Sequence, residues 1–201
     1  MTLTRSEATI AAILAAAERL FVERSYADIT MEQIAEESRV TKGALYHHFE
    51  SKEELYLAMM FADLDEKRRI LSEAVDFDGS CRERLRRLTK AFFSLPVIKQ
   101  KVIQLVRRDV NIFDDAAREN LVRAYQHALS EPIERVLSDG IRDGDLAPTD
   151  PRLLAWHYIA LVEVTLSRYA EAQFSHVEAR LDHVLDLFFY GAAMSYKEAV
   201  E

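Results

Sequence analysis

The sequence predicts an all-α protein of about nine helices, and three observations carry that expectation. Glycine and proline together supply only nine of 201 residues, about 4% against about 12% in average usage, so turns are scarce and elements long. Capping boxes recur at Thr4–Glu7, Thr30–Gln33, Ser51–Glu54, Ser80–Glu83 and Ser175–Glu178; in each, two side chains three residues apart satisfy one another's backbone N–H groups. No hairpin signal occurs in the sequence.

The first helix is expected over 5–24, where Ile10, Ile13, Leu14, Ala17, Leu20 and Phe21 repeat at the spacing of one buried face. Two short helices follow at 31–38 and 42–48, the former opened by Thr30. Ser51 opens a long helix over 52–76, Ser80 another over 80–95, and a sixth spans 97–112. The seventh, 115–142, contains Pro132, which must kink or split it, because proline lacks an N–H and clashes one turn back. Asp150 and Pro151 open an eighth over 151–172 as N-cap and first helical residue, and the ninth spans 176–197. Gly79, Gly140, Gly144 and Pro148 are read as stops.

Composition narrows the function classes. Apolar residues make 49% and charged residues 30% of the chain, a globular balance. The single cysteine, Cys81, excludes an intrachain disulfide framework and a thiolate zinc site. The longest uncharged stretches, Ala8–Ala17, Leu153–Val162 and Leu187–Tyr196, are ten residues each, and a membrane helix needs about 20. Ala8–Ala17 lies between Glu7 and Glu18, unlike a signal peptide. The chain is read as soluble and cytoplasmic, with no membrane partner, cofactor or metal. A net charge of −8 and a pI near 5.3 argue against holding nucleic acid by bulk electrostatics, but leave room for a local reader. No enzyme site assembles, and no catalytic residue is assigned. His47 and His48 are adjacent and diverge by about 100° on a helix, and no His-Glu-x-x-His, P-loop or Gly-x-Ser-x-Gly occurs.

Between Arg152 and Glu163 the chain carries no charge. A helix apolar on all sides is covered on all sides, and a second copy of the chain is the simplest cover. The last helix adds a stripe at Leu181, Val184, Leu185, Phe188 and Ala192. With Leu161, this predicts a homodimer through a four-helix bundle on a two-fold axis; the other reading is ordinary monomer core.

Residues 31–52 read MEQIAEESRVTKGALYHHFESK. A short helix, a three-residue turn and a second short helix share a small core of Ile34, Ala35, Val40, Leu45 and Phe49. This is the helix-turn-helix arrangement, whose second helix enters the DNA major groove. The run Val40-Thr41-Lys42-Gly43-Ala44-Leu45-Tyr46-His47-His48-Phe49 through Lys52 and Leu55 resembles the signature of the TetR family of bacterial transcriptional regulators, densely over about 25 residues.

The resemblance implies a three-helix DNA-binding domain over 1–50 and a ligand-sensing, dimerising helical domain over 51–201. It implies that Thr30, Tyr46 and Lys52 hold phosphates, and that Thr41, Lys42, Ala44 and His47 approach base edges. Gly43 would let backbone approach backbone, and His48 would pack. The family has Ala-Gly where this chain has Ser38-Arg39; Arg39 would carry the strain of a left-handed backbone and could reach a phosphate. Residues 39–52 hold three bases and one acid, so DNA contacts should be few and the salt dependence modest.

The resemblance further implies a small-molecule effector that shifts head spacing on a double-stranded, palindromic operator, usually relieving repression. Candidate cavity residues are Phe61, Phe92, Ile103, Arg107, Asn111, Tyr125, Trp156, Ile159 and Glu163. Residues 82–108 hold nine bases and one acid, read either as a solvated face or as an anion site suited to an acyl thioester. The rival to a DNA-binding regulator is a helical adaptor that binds only protein.

Overall fold

The structure is a computed structural model and describes residues 4–191. In chain order its helices are α1 (Arg5–Glu23), α2 (Met31–Ser38), α3 (Lys42–His48), α4 (Lys52–Val75), α5 (Cys81–Phe93), α6 (Val97–Asp109), α7 (Asp115–Tyr125), α8 (Glu131–Arg142), α9 (Pro151–Val164), α10 (Arg168–Glu171) and α11 (Val177–Tyr190). No strand occurs among the described residues. The capping boxes at Thr4, Thr30 and Ser80 form as read from the sequence, and Asp150 caps the N–H groups of Arg152 and Leu153.

Several boundaries differ, each for a local reason. The seventh predicted helix splits at Pro132: α7 ends at Tyr125, a π-type segment spans Gln126–Ser130, and α8 begins with Pro132 in its first turn, where a missing N–H costs nothing. The eighth stops at Val164, and a single turn, α10, follows. At the last helix His176, not Ser175, is the cap, its ring accepting from the Ala179 N–H at 3.1 Å. Gly140 is no stop: it sits inside α8 because a Cβ there would lie 2.7 Å from Cys81 Cβ and 2.8 Å from its Sγ. The cysteine is sealed under this glycine, and burial pushes its thiol up to about 12.

The chain forms two compact units: residues up to Lys67 with Pro96–Gln126, and Arg68–Leu95 with residues from His127 onward. They do not follow a boundary near residue 50, because α6 packs on α1 and joins the first unit. Ile13, Ala16, Phe21, Ile34, Leu45, Leu55, Tyr56 and Met59 form the first unit's core, each large side chain contributing about 1.5–3 kcal/mol by burial. Phe21 and Tyr26 pack against Tyr56 with tilted rings, at centre separations of 4.3 Å and 5.0 Å. The Tyr56 hydroxyl donates to Asp109, whose carboxylate also takes Arg108 at 2.7 Å. The same unit holds a charged cluster. Lys67 pairs with Asp63, both side chains 1% exposed, and Lys99 pairs with Glu18 and, at 3.1 Å, with Glu66.

In the second unit α5 packs against α8 and α11, and α9 against α8 and α11. Leu85, Leu88, Phe92, Val136, Leu137, Tyr158, Ile159, Leu181, Val184 and Leu185 fill its core. Tyr158 and Thr89 share a buried hydroxyl–hydroxyl hydrogen bond.

Candidate nucleic-acid interface

The turn between α2 and α3 is built by two backbone bonds: the Arg39 N–H donates to Glu36 O and the Val40 N–H to Ala35 O, both at 3.0 Å. This double closure demands a left-handed residue, usually glycine. Arg39 supplies it at φ 58°, ψ 34°, the one non-glycine residue with positive φ among those described. Thr41 then caps α3, its hydroxyl accepting from the Ala44 N–H at 3.1 Å. Leu45 and Phe49 are buried and anchor α3, which leaves Thr41, Lys42, Gly43, Tyr46 and His47 exposed and Ala44 and His48 half-buried. Tyr46 keeps 40% of its surface. A Cβ on Gly43 would meet nothing within 4 Å, so packing inside the chain does not require a glycine there.

The cations of this segment differ in what they already hold. Lys42 pairs with Glu32 on α2 and lies 5.7 Å from the Tyr46 ring centre. The pair pushes Lys42 up from its ordinary value and holds Glu32 below its own, by mutual hydrogen bonding and charge. Lys52 donates to the carbonyls of Tyr26 and Ile29 at 2.8 and 2.9 Å and sits 4.2 Å over the Tyr26 ring. Within the chain its ammonium thus fastens the loop that precedes Thr30. Thr30 is exposed, and its hydroxyl accepts from Gln33 N as the cap of α2.

The predicted effector residues divide between the units. Phe61, Ile103, Arg107, Asn111 and Tyr125 belong to the first; Phe92, Trp156, Ile159 and Glu163 belong to the second. Ile103, Tyr125, Phe92, Ile159 and Glu163 are buried, and Phe61 and Trp156 half-buried. Arg107 and Asn111 are exposed, and Asn111 lies in a 3-10 turn after α6, not inside an apolar helix.

The α5 part of the basic run is a partly exposed face whose charges are paired within the chain. In the second unit Arg82 pairs with Asp186 at 2.6 Å and Arg84 with Asp139 at 2.8 Å. Arg86 pairs with Glu178 at 3.1 Å and with Asp182, Lys90 with Glu178 at 2.7 Å, and Arg87 covers the Phe77 ring at 4.3 Å. The charges of α5 are thus zipped to α8 and α11. Such pairing across about a hundred residues leaves no mark in a local sequence pattern.

Two of the predicted dimer residues are covered by their own chain. Leu181 and Leu185 are fully buried, since the apolar stripe of α11 faces α5 and α9 of its own chain. Leu161 and Phe188 are half-buried, and Ala192 lies outside the described residues. The large apolar side chains exposed in this unit include Leu153 and Val164 on α9, Tyr169 on α10, and Val177 and Tyr190 on α11.

Residues 13–59 match the model of bacterial regulatory proteins, tetR family, and residues 78–169 match that of the tetracyclin repressor-like C-terminal domain. The transcriptional activator FasR of Mycolicibacterium smegmatis is 31% identical over 158 residues, 78% of this chain and 69% of that protein. Among solved structures, AibR in complex with isovaleryl coenzyme A and operator DNA aligns over 90% of this chain and 98% of its own, with a TM-score of 0.76 and 24% identity. FadR from Bacillus subtilis in complex with stearoyl-CoA aligns over 91% and 99%, with a TM-score of 0.74 and 18% identity. The matched head, the matched C-terminal domain and the relative spanning most of both chains agree: the chain belongs to the TetR family of bacterial regulatory proteins.

Proposed function

We propose that this regulator is a homodimeric repressor, released from a palindromic operator by an acyl thioester or a similar amphipathic anion. Residues 1–50 are the reading head, and 51–201 sense the effector and dimerise. One observation carries the DNA-binding part: α3 presents Thr41, Lys42, Gly43, Tyr46 and His47 to solvent from a buried Leu45–Phe49 anchor. On this face Lys42 holds only an exposed pair with Glu32, and Gly43 admits a close backbone approach.

The exposed Leu153 and Val164 of α9 and Val177 and Tyr190 of α11 offer apolar surface for a second copy of the chain to cover. The coenzyme A thioesters named in AibR and FadR support the effector class. The zipped bases of α5 favour recognition of the acyl chain over capture of phosphates by that helix. Effector and operator are linked only through their differential affinity for head spacings. Two recognition helices must lie about 34–36 Å apart to read successive grooves.

The test is a gel-shift against DNA upstream of the protein's own gene, and against sequences selected from random DNA. It is repeated with Lys42→Ala and Tyr46→Phe, and with short- and long-chain acyl thioesters added. Specific retardation that both variants weaken and one thioester abolishes is the expected result. Retardation strengthened by the thioester would make the protein an activator or co-repressed regulator. A folded dimer that selects no sequence would return the chain to the adaptor reading.

A further inference from the structure

We infer that Arg39 is a phosphate anchor of the reading head, held at a backbone position that favours glycine. This rests on the DNA-binding reading above and names one contact within it. Residues 39–52 contain three cations: Arg39, Lys42 and Lys52. Lys42 is paired with Glu32, and Lys52 is bound to two carbonyls and a ring face. Elsewhere in α1 and the turn after it, Arg19 holds Glu37 at 2.7 Å and Arg24 holds Asp28 O at 2.6 Å. The exposed guanidinium of Arg39 makes no hydrogen bond or ion pair with a described residue.

The turn itself gives no reason for an arginine. Its two closing bonds are made by backbone N–H groups that any non-proline residue supplies. The left-handed conformation crowds a Cβ against the following carbonyl, which glycine avoids and asparagine tolerates. A side chain that strains its own turn and makes no hydrogen bond or ion pair with a described residue is explained by a contact outside the chain. Arg39 stands two residues before Thr41, the cap of α3, at the end of that helix which leads into the groove. The planar fork of a guanidinium matches a phosphate, and Arg39 closes α2, the first helix of the motif, which crosses the duplex backbone. Arg39 therefore fixes the register of α3 and carries no sequence preference of its own.

The experiment measures binding of the full-length dimer to an operator selected by the wild type, as a function of salt, for Arg39→Gly, Arg39→Asn and Arg39→Lys. Each phosphate contact contributes a slope of about −0.9 in log K against log salt, which is about eightfold in affinity at about 0.1 M. The glycine and asparagine variants should lose that factor at each half-site, equally on point-mutated operators, and unfold at no lower temperature than the wild type. The lysine variant should keep most of the slope. Wild-type affinity and slope in the glycine variant would overturn the assignment while leaving DNA binding intact. So would a loss confined to one operator position, which marks a base contact. A wild type that selects no operator would overturn the DNA-binding reading itself.

Discussion

The α5 helix and the α2–α3 head differ in how completely they consume their positive charge. Residues 82–108 carry nine bases against one acid, yet Arg82, Arg84, Arg86 and Lys90 are each paired with acids on α8 or α11, and Lys99 and Arg108 with acids in the first unit. The head carries three bases in its reading segment, on an acidic domain; Lys42 and Lys52 are engaged within the chain, and Arg39 is exposed without a hydrogen bond or ion pair to a described residue. A charge run therefore does not locate a nucleic-acid surface. What each charge already holds decides whether it can meet a phosphate, because an occupied cation must break one pair to make another.

The sharpest way to test the body's dependence on pairing is to remove one partner from its driest pair. Asp63→Asn leaves the Lys67 ammonium, 1% exposed, without its carboxylate. Denaturant unfolding should show a loss of about 3–5 kcal/mol, mostly recovered when Asp63→Leu is combined with Lys67→Met. A loss below about 1 kcal/mol would mean that Lys67 is neutral when buried, the direction in which burial pushes it.

Arg84→Ala should cost about 2 kcal/mol, through the lost Asp139 pair and the Val75 carbonyl left behind. The operator salt slope should stay unchanged. Hydrogen bonding to Arg84 holds the Asp139 carboxyl below its ordinary value of 3.8. Its contribution is present above that pH and lost as pH falls through the lowered folded value. The variant should therefore show a shallower acid limb, and an identical one would disprove the coupling.

In the head the effects invert. Lys42→Ala should weaken operator binding by about tenfold with little change in the unfolding midpoint, because its pair with Glu32 is exposed. The smallest expected effect is that of Glu32→Gln, which frees Lys42 and removes an acid beside the groove. It should raise operator affinity by about threefold at low salt and not at high salt. Unchanged affinity would mean that DNA does not displace Glu32 from Lys42.

The sequence made the local features legible. Capping boxes at Thr4, Thr30 and Ser80, the splitting proline at 132 and the left-handed residue at 39 are each written within five residues of where they act. Features that depend on distant partners were hidden. Lys52 reaches back more than twenty residues to its carbonyls, and Arg86 finds its acids more than ninety residues ahead. The stripe of α11 was correctly read as apolar but could not reveal which neighbour it faces, because periodicity marks a buried face without naming its cover. Gly140 was misread for the same reason: its cause is Cys81, on another helix.

The sealing of Cys81 has a practical consequence for labelling chemistry. A thiol closed off by Gly140 and pushed up to about 12 offers maleimides almost no thiolate near neutral pH. With one cysteine in the chain, the natural protein serves as its own unreactive background. A cysteine introduced at the exposed His47 can carry a spin label or fluorophore without any prior substitution. The distance between the two heads of a dimer, with and without an acyl thioester, then becomes directly measurable.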